Sequence, residues 1–420
     1  MNTDVRAQLY TWFDVKMVLT GSKPGKTIEM TDEIFRHDGY TFEFEANVLS
    51  AEGDEVILDS TAFYPGGGGQ VCDTGAIRGN PVTEVFYKGD TIVHKVPKHD
   101  LKAGERVWCS VDWDRRYDLM QGHTGEHLLF CALRRQCDDL EITKIFISPE
   151  SKYVIVNHDL GWDQIRDALL FANQAIKDNH PVTKSVMDRD DPDLERVRIK
   201  LDRIEEGEEI TVVSIGDIDM SACSGVHVME TAELEMIMVD RKVSSGKDGI
   251  AIHFKVGDAA KNAAAELSTL ALEMVDIIGC KSSDAPKAIS NMKAQAELDA
   301  RMLKNAVKAI TSSLSPEVIN GVDVFSAILP GSDRSTISEA AESIKSKGGI
   351  AAFVIESSTL SVMLASGVDG LDCKKTLADV LVSFGGKGGG KKDFAQGGVQ
   401  DAKASDVLNA LLDGVRNNLG

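Results

Sequence analysis

The chain has 420 residues, 43% hydrophobic and 27% charged, with a formal net charge of −20. Such a composition belongs to a globular protein of two to four domains and excludes a largely disordered chain. The acidic balance argues against broad, non-specific nucleic-acid binding, which needs a basic surface, but leaves room for small positive patches. No run of about 18 apolar residues is present, so no membrane partner is expected. The first residues lack a basic region followed by an apolar one, so no signal peptide is expected. Seven scattered cysteines suit a reducing cytoplasm better than a disulfide framework.

Residues 1–27 read as an N-terminal extension, with Gly21-Ser-Lys-Pro24-Gly25 as a turn. From about 40 to 110, short alternating runs such as Thr41–Val48 and Glu55–Asp59 are separated by glycine turns. They predict a small antiparallel β-barrel or sandwich over 28–113. Between Asp114 and Cys137 the period changes to that of a helix. Gly122 and Gly125 inside it cost about 1 kcal/mol each relative to Ala, which points to close approach by another element. Strands are expected over 145–158 and 209–214, a helix over 162–179, and a hairpin from 233–239 to 249–256. This makes 114–256 an α+β domain. Leu267, Leu270, Met274 and Ile278, then Ile289, Met292, Leu303, Val307 and Ile310, predict a helical hairpin over 257–315. A C-terminal α/β domain over 316–420 has strands near 323–329, 350–356 and 360–366, and helices near 335–346 and 374–384.

Two short pairs carry the strongest chemistry. His123-Thr-Gly-Glu-His127 and Cys223-Ser-Gly-Val-His227 are each spaced i, i+4, with residues 128–222 between them. That spacing puts two donor atoms on one side of a helix or tight turn. Three imidazoles and one thiolate make a coordination set suited to Zn2+. Either pair alone is also compatible with a solvated helix face. His123 to His127 also fits HxxEH, a metalloprotease pattern with Glu126 as general base. A closed structural zinc site without turnover is a further alternative, because four protein ligands are typical of structural sites.

A second signal is the stretch from Gly385 to Gly398. Gly385, Gly386, Gly388, Gly389 and Gly390 are interleaved with Lys387, Lys391 and Lys392. Backbone N–H groups and lysines in a flexible loop suit phosphate oxygens. Gly385 to Lys391 fits GxxxxGK, but Lys392 stands where a nucleotide-binding P-loop needs Ser or Thr for Mg²⁺. A third is Thr61-Ala-Phe-Tyr-Pro-Gly-Gly-Gly-Gly-Gln70, where the glycine run suggests a backbone that approaches a ligand closely.

Together these motifs resemble those of the alanyl-tRNA editing proteins, the AlaX family in its long form, and the matching parts of alanyl-tRNA synthetase. The resemblance covers about residues 28–420, with all motifs in the family's order. It implies an α+β multidomain protein: a small β-barrel domain, an α+β zinc editing domain, a helical hairpin and a C-terminal α/β domain. The implied activity is deacylation of tRNA(Ala) mischarged with serine or glycine. His123, His127, Cys223 and His227 would be the metal ligands. Thr61, Gln70 and Glu126 would be catalytic, with Thr61 near the amino-acid side chain, and Lys387, Lys391 and Lys392 would touch tRNA. The resemblance also allows a homodimer through the C-terminal domain. The sequence departs from the family's usual Cys-Gly-Gly-Thr-His at Ser224 and Val226. It also has Lys144–Ser148 where a Gln-x-Gly-Ser segment is usual, and His253 where arginine is common. These departures leave the identity of the removed amino acid open.

Overall fold

The computed structural model describes residues 31–199, 210–331 and 334–419. The expected extension over 1–27 lies outside the described residues. The chain divides into two compact units, with the boundary between Leu270 and Ala271.

The first unit begins with β1 (Asp32–Glu33) and the one-turn helix α1 (Ile34–His37). Eight strands follow: β2 (Glu43–Glu52), β3 (Glu55–Leu58), β4 (Ser60–Thr61), β5 (Gly75–Ile77), β6 (Asn80–Val82), β7 (Glu84–Lys88), β8 (Thr91–Lys95) and β9 (Arg106–Val111). Seven of these make one sheet in the order β6-β5-β9-β2-β3-β8-β7, while β4 pairs with β1. Its two edge strands, β6 and β7, are separated in the chain only by Thr83, so the sheet curls into a nearly closed barrel. Along the first six residues of β2 burial alternates strictly, with Phe44, Ala46 and Val48 inside, as a period of two requires.

Helix α2 (Trp113–Arg134) starts where the Asp112 carboxylate accepts from Arg115 N, a side-chain N-cap. Next come β10 (Ile142–Ile147), β11 (Lys152–Val156), α3 (Trp162–Asp178), β12 (Val182–Met187), β13 (Ile210–Ile215), β14 (Asp219–Ala222), β15 (Ile237–Ser244) and β16 (Ile250–Val256). They form a four-stranded sheet, β10-β11-β16-β15, and a three-stranded one, β12-β13-β14. One continuous apolar core joins barrel residues such as Phe63 and Ile77 to Leu128 and Leu129 of α2, Ile165 of α3 and Phe254 of β16.

Helix α4 (Gly257–Ile278) contains the boundary, and α5 (Ala285–Ser313) follows after a short turn. The second unit adds β17 (Glu317–Ile319), β18 (Val322–Pro330), α6 (Arg334–Ser346), β19 (Ile350–Glu356), β20 (Leu360–Ser366), α7 (Cys373–Ser383), β21 (Lys387–Gly390), β22 (Phe394–Val399) and α8 (Ala404–Leu419). Its sheet runs β17-β18-β19-β20-β22-β21, with only β18 and β19 parallel. Alternate residues of β19 serve opposite faces. Ile350, Ala352 and Val354 pack with α7 and α8, and Ala351, Phe353 and Ile355 with α6 and Val307 of α5. Burial on both faces explains the unbroken apolar run. Among the described residues no helix is long and apolar enough to cross a membrane.

Three readings of the sequence need correction. Residues 145–158 form a hairpin rather than one strand, because Pro149 sits in a turn closed by Ser148 N donating to Ser151 O. Residues 231–234 are a 3-10 turn, and the strand starts only at Ile237. The glycine-rich stretch 385–398 is a strand pair, β21 and β22, rather than a loop. A side chain at Gly388 or Gly397 would collide with, or crowd, Leu381 of α7, so glycine lets the helix lie on the sheet. Strand β12 and helix α8 have no counterpart in the sequence reading.

Candidate metal centre

Helix α2 presents His123 and His127 one turn apart, both buried. Cys223 and His227 come from the segment after β14, anchored where Cys223 N donates to Thr211 O. One donor atom from each of the four lies within 4.8 Å of all the others. Cys223 Sγ is 3.4 Å from His123 Nε2 and 3.3 Å from His227 Nε2.

Each imidazole faces a second partner with its other nitrogen. His123 Nδ1 donates to Gln70 Oε1 at 2.7 Å, which leaves Nε2 as the free lone pair. His227 Nδ1 is 3.1 Å from Thr124 Oγ1 on α2, and that oxygen also accepts from Val228 N. His127 Nδ1 is 3.6 Å from an Asp219 oxygen, too long for a hydrogen bond but within ion-pair reach. Arg198 pairs with the same Asp219 oxygen at 3.3 Å. Glu126 is fully buried, with one oxygen 3.8 Å from His127 Nε2 and neither oxygen hydrogen-bonded among the described residues.

Electrostatics favour the metal-binding state at Cys223 and His227 and oppose it at His127. Burial raises the Cys223 pKa, but His123 and His227 outweigh it and hold the thiol well below its ordinary value. Burial, helped by His123, pushes His227 down to about 3, so it stays a neutral imidazole. For His127 burial acts downward, yet Asp219 and Cys223 raise it to about 10. A lowered Cys223 thiol and a neutral His227 suit a metal, and a divalent cation would have to displace the proton favoured on His127. The donor types and their clustering fit Zn2+.

The glycines around the site are explained by close approach. A Cβ at Gly225 would strike the His123 ring. At Gly69, φ is +94° and a Cβ would lie 2.6 Å from Ile145 O. Gly69 O accepts from Ile147 N, and Val71 N donates to Ile147 O, so β10 holds Gln70 against His123. The non-standard segment Lys144–Ser148 therefore shapes this contact. On α2, Gly122 makes room for Lys152, whose amine pairs with Asp118 at 2.8 Å, and Gly125 for Val256.

Thr61 is fully buried. Its hydroxyl donates to His94 Nε2 at 2.8 Å and accepts from Phe63 N, and His94 Nδ1 faces the Val56 carbonyl at 3.2 Å. Lys387 lies on the exposed strand β21, and Lys391 and Lys392 on the turn after it. Sequence reasoning missed Asp73, Arg116, Thr124, Asp219 and His94. Arg116, fully buried, ion-pairs with Asp73 and donates to the carbonyls of Gly39 and Ala62, tying α2 to the glycine-rich segment. One signal was available: Arg116 precedes His123 by seven residues and so shares its helix face.

Residues 25–115 match the family described as tRNA synthetases class II (A), and residues 321–418 match the DHHA1 domain. The chain is 30% identical to an alanine–tRNA ligase of Methanoregula boonei over 87% of its own length and 41% of the ligase. It is 31% identical to that of Methanoculleus marisnigri over 90% of its length and 42% of the ligase. It thus spans about two-fifths of those relatives. It is 27% identical to the alanyl-tRNA editing protein AlaX-L of Pyrococcus horikoshii over 93% of its length and all of that protein. Along most of its length the chain is thus similar both to a long alanyl-tRNA editing protein and to the matching part of alanine–tRNA ligases.

Proposed function

We propose that this protein is a trans-editing deacylase that hydrolyses the ester of tRNA(Ala) mischarged with serine or glycine. The observation that carries the reading is the convergence of His123, His127, Cys223 and His227 from two distant segments, with Gln70 fixed against His123. Those four residues would hold a zinc ion, which when bound supplies Lewis acidity for an ester carbonyl or water. Gln70 Nε2 is a buried donor without a partner among the described residues, and it would bind the ester carbonyl as negative charge develops. Glu126 is a buried carboxylate beside His127, suited to accept a proton. Thr61, its hydroxyl proton given to His94, would read the substrate's hydroxyl only as an acceptor, once substrate reaches this buried oxygen. A Thr61→Val protein that cleaves seryl-tRNA and still spares alanyl-tRNA would remove it from that role.

The domain reading goes with this function: a β-barrel domain over 28–113, a zinc-containing editing domain over 114–256, a helical hairpin over 257–315 and a tRNA-contacting C-terminal domain over 316–420. Lys387, Lys391 and Lys392 would meet the tRNA backbone, the C-terminal domain would support a homodimer, and the protein would work in the cytoplasm. A second reading rests on the four protein ligands: a closed, structural zinc in a tRNA-binding protein. Deacylation of seryl-, glycyl- and alanyl-tRNA(Ala), with and without a chelator, separates the two. Chelator-sensitive hydrolysis of a mischarged tRNA is expected; zinc retained with no turnover of any substrate would favour the binder.

A further inference from the structure

Beyond the buried site, a second set of donors gathers at the far end of α2. Cys137 and Asp139 lie in the turn after the helix, and His158 follows β11. Asp139 bridges the other two: Cys137 Sγ donates to Oδ1 at 3.1 Å, and His158 Nε2 lies 3.1 Å from Oδ2. One donor atom from each lies within 4.8 Å of the other two. The two loops are clamped together. Asn157, next to His158, donates to Asp139 O, its Oδ1 accepts from Glu141 N, and its own N–H donates to Glu141 O. The two segments that carry the donors are therefore held side by side by the Asn157 amide and one backbone hydrogen bond.

We propose that Cys137, Asp139 and His158 form a second, peripheral site for a divalent transition metal, clipping the end of α2 to the end of β11. A thiolate, an imidazole and a carboxylate suit Zn²⁺ or Co²⁺, whereas Mg²⁺ and Ca²⁺ take oxygen donors alone. The side chains of Asp139 and His158 are 78% and 43% exposed, so water completes the coordination and the site exchanges metal readily. Binding takes the thiol proton, which Asp139 already accepts, so loading strengthens as pH rises. The site shares no residue with the buried one.

Co²⁺ titration of the chelator-stripped full chain tests this, because a thiolate–Co²⁺ pair absorbs in the near ultraviolet. Wild type is expected to bind a second equivalent at micromolar metal. Cys137→Ser and His158→Ala should each lose that equivalent, and Cys223→Ser should keep it. Should the buried site bind nothing, the wild type would still take one equivalent, lost in Cys137→Ser. Unchanged stoichiometry in both Cys137→Ser and His158→Ala, or binding only at millimolar metal, would overturn the proposal.

Discussion

The His/Cys cluster and the Gly/Lys hairpin both announce themselves by unusual residues, yet the fold uses them in opposite ways. The cluster is buried, assembled from segments far apart in sequence, and each histidine is faced by a further side chain. The hairpin is local, and β21 is exposed along its whole length at a sheet edge. Glycine serves both by removing a Cβ. Gly225 lets the metal-site turn meet His123, while Gly397 lets α7 meet the sheet. A buried cluster with fixed partners is preorganised for chemistry. An exposed edge with lysines is suited to contact with a charged backbone.

The sharpest test of this contrast removes a ligand. Cys223→Ser or His127→Ala should lower metal affinity at least about a hundredfold, since even outer partners of a ligand are worth 10–100-fold. Deacylation should fall with it. Full metal content in both variants would break the assignment, and mass spectrometry of the native protein reads it directly.

His94 gives the next largest effect. Burial, only partly offset by the Val56 carbonyl, pushes its pKa down to about 4. The unfolded chain protonates this residue near the ordinary value of about 6.5. The native state therefore loses stability as pH falls from about 6.5 to about 4, by about 3 kcal/mol in all. Above that window the contribution is fully present. Denaturant midpoints measured across it should fall in wild type and flatten in His94→Gln; parallel curves would refute the account.

Paired glycine changes divide the two regions. Gly225→Ala and Gly397→Ala should each cost about 1–3 kcal/mol by overpacking. Only the first should also reduce bound metal. Equal metal loss in both would mean that the contrast is one of overall stability.

The smallest effect is expected at the lysines. Lys387→Ala, Lys391→Ala and Lys392→Ala together should weaken tRNA binding and flatten its salt dependence by about two units of slope. Affinity measured at several salt concentrations decides this. An unchanged slope leaves the hairpin a folding or dimer role.

Much of the site was legible because its donors come in i, i+4 pairs, which local geometry keeps on one side. The barrel was legible in the alternation of residues such as Phe44, Ala46 and Val48. Strand β12 was not, because four of its six residues are exposed and carry no alternation. The hairpin at 387–399 was hidden for a different reason: glycine has low strand propensity, and only the packing of Leu381 explains its presence. Arg116 and Asp73 form a buried ion pair across 43 residues, and nothing in the local pattern of either announces the other.

From its residues alone the chain declared a cysteine and three histidines at metal-ligand spacing, the glycine runs and the order of the main elements. Those follow from residue chemistry and from periods of two and 3.6, which are local properties. Tertiary structure decided which nitrogen of each imidazole meets a partner from another segment, Gln70, Thr124 or Asp219. It also turned a glycine-rich stretch into a sheet edge, since a pairing strand and an overlying helix are contacts that periodicity cannot encode.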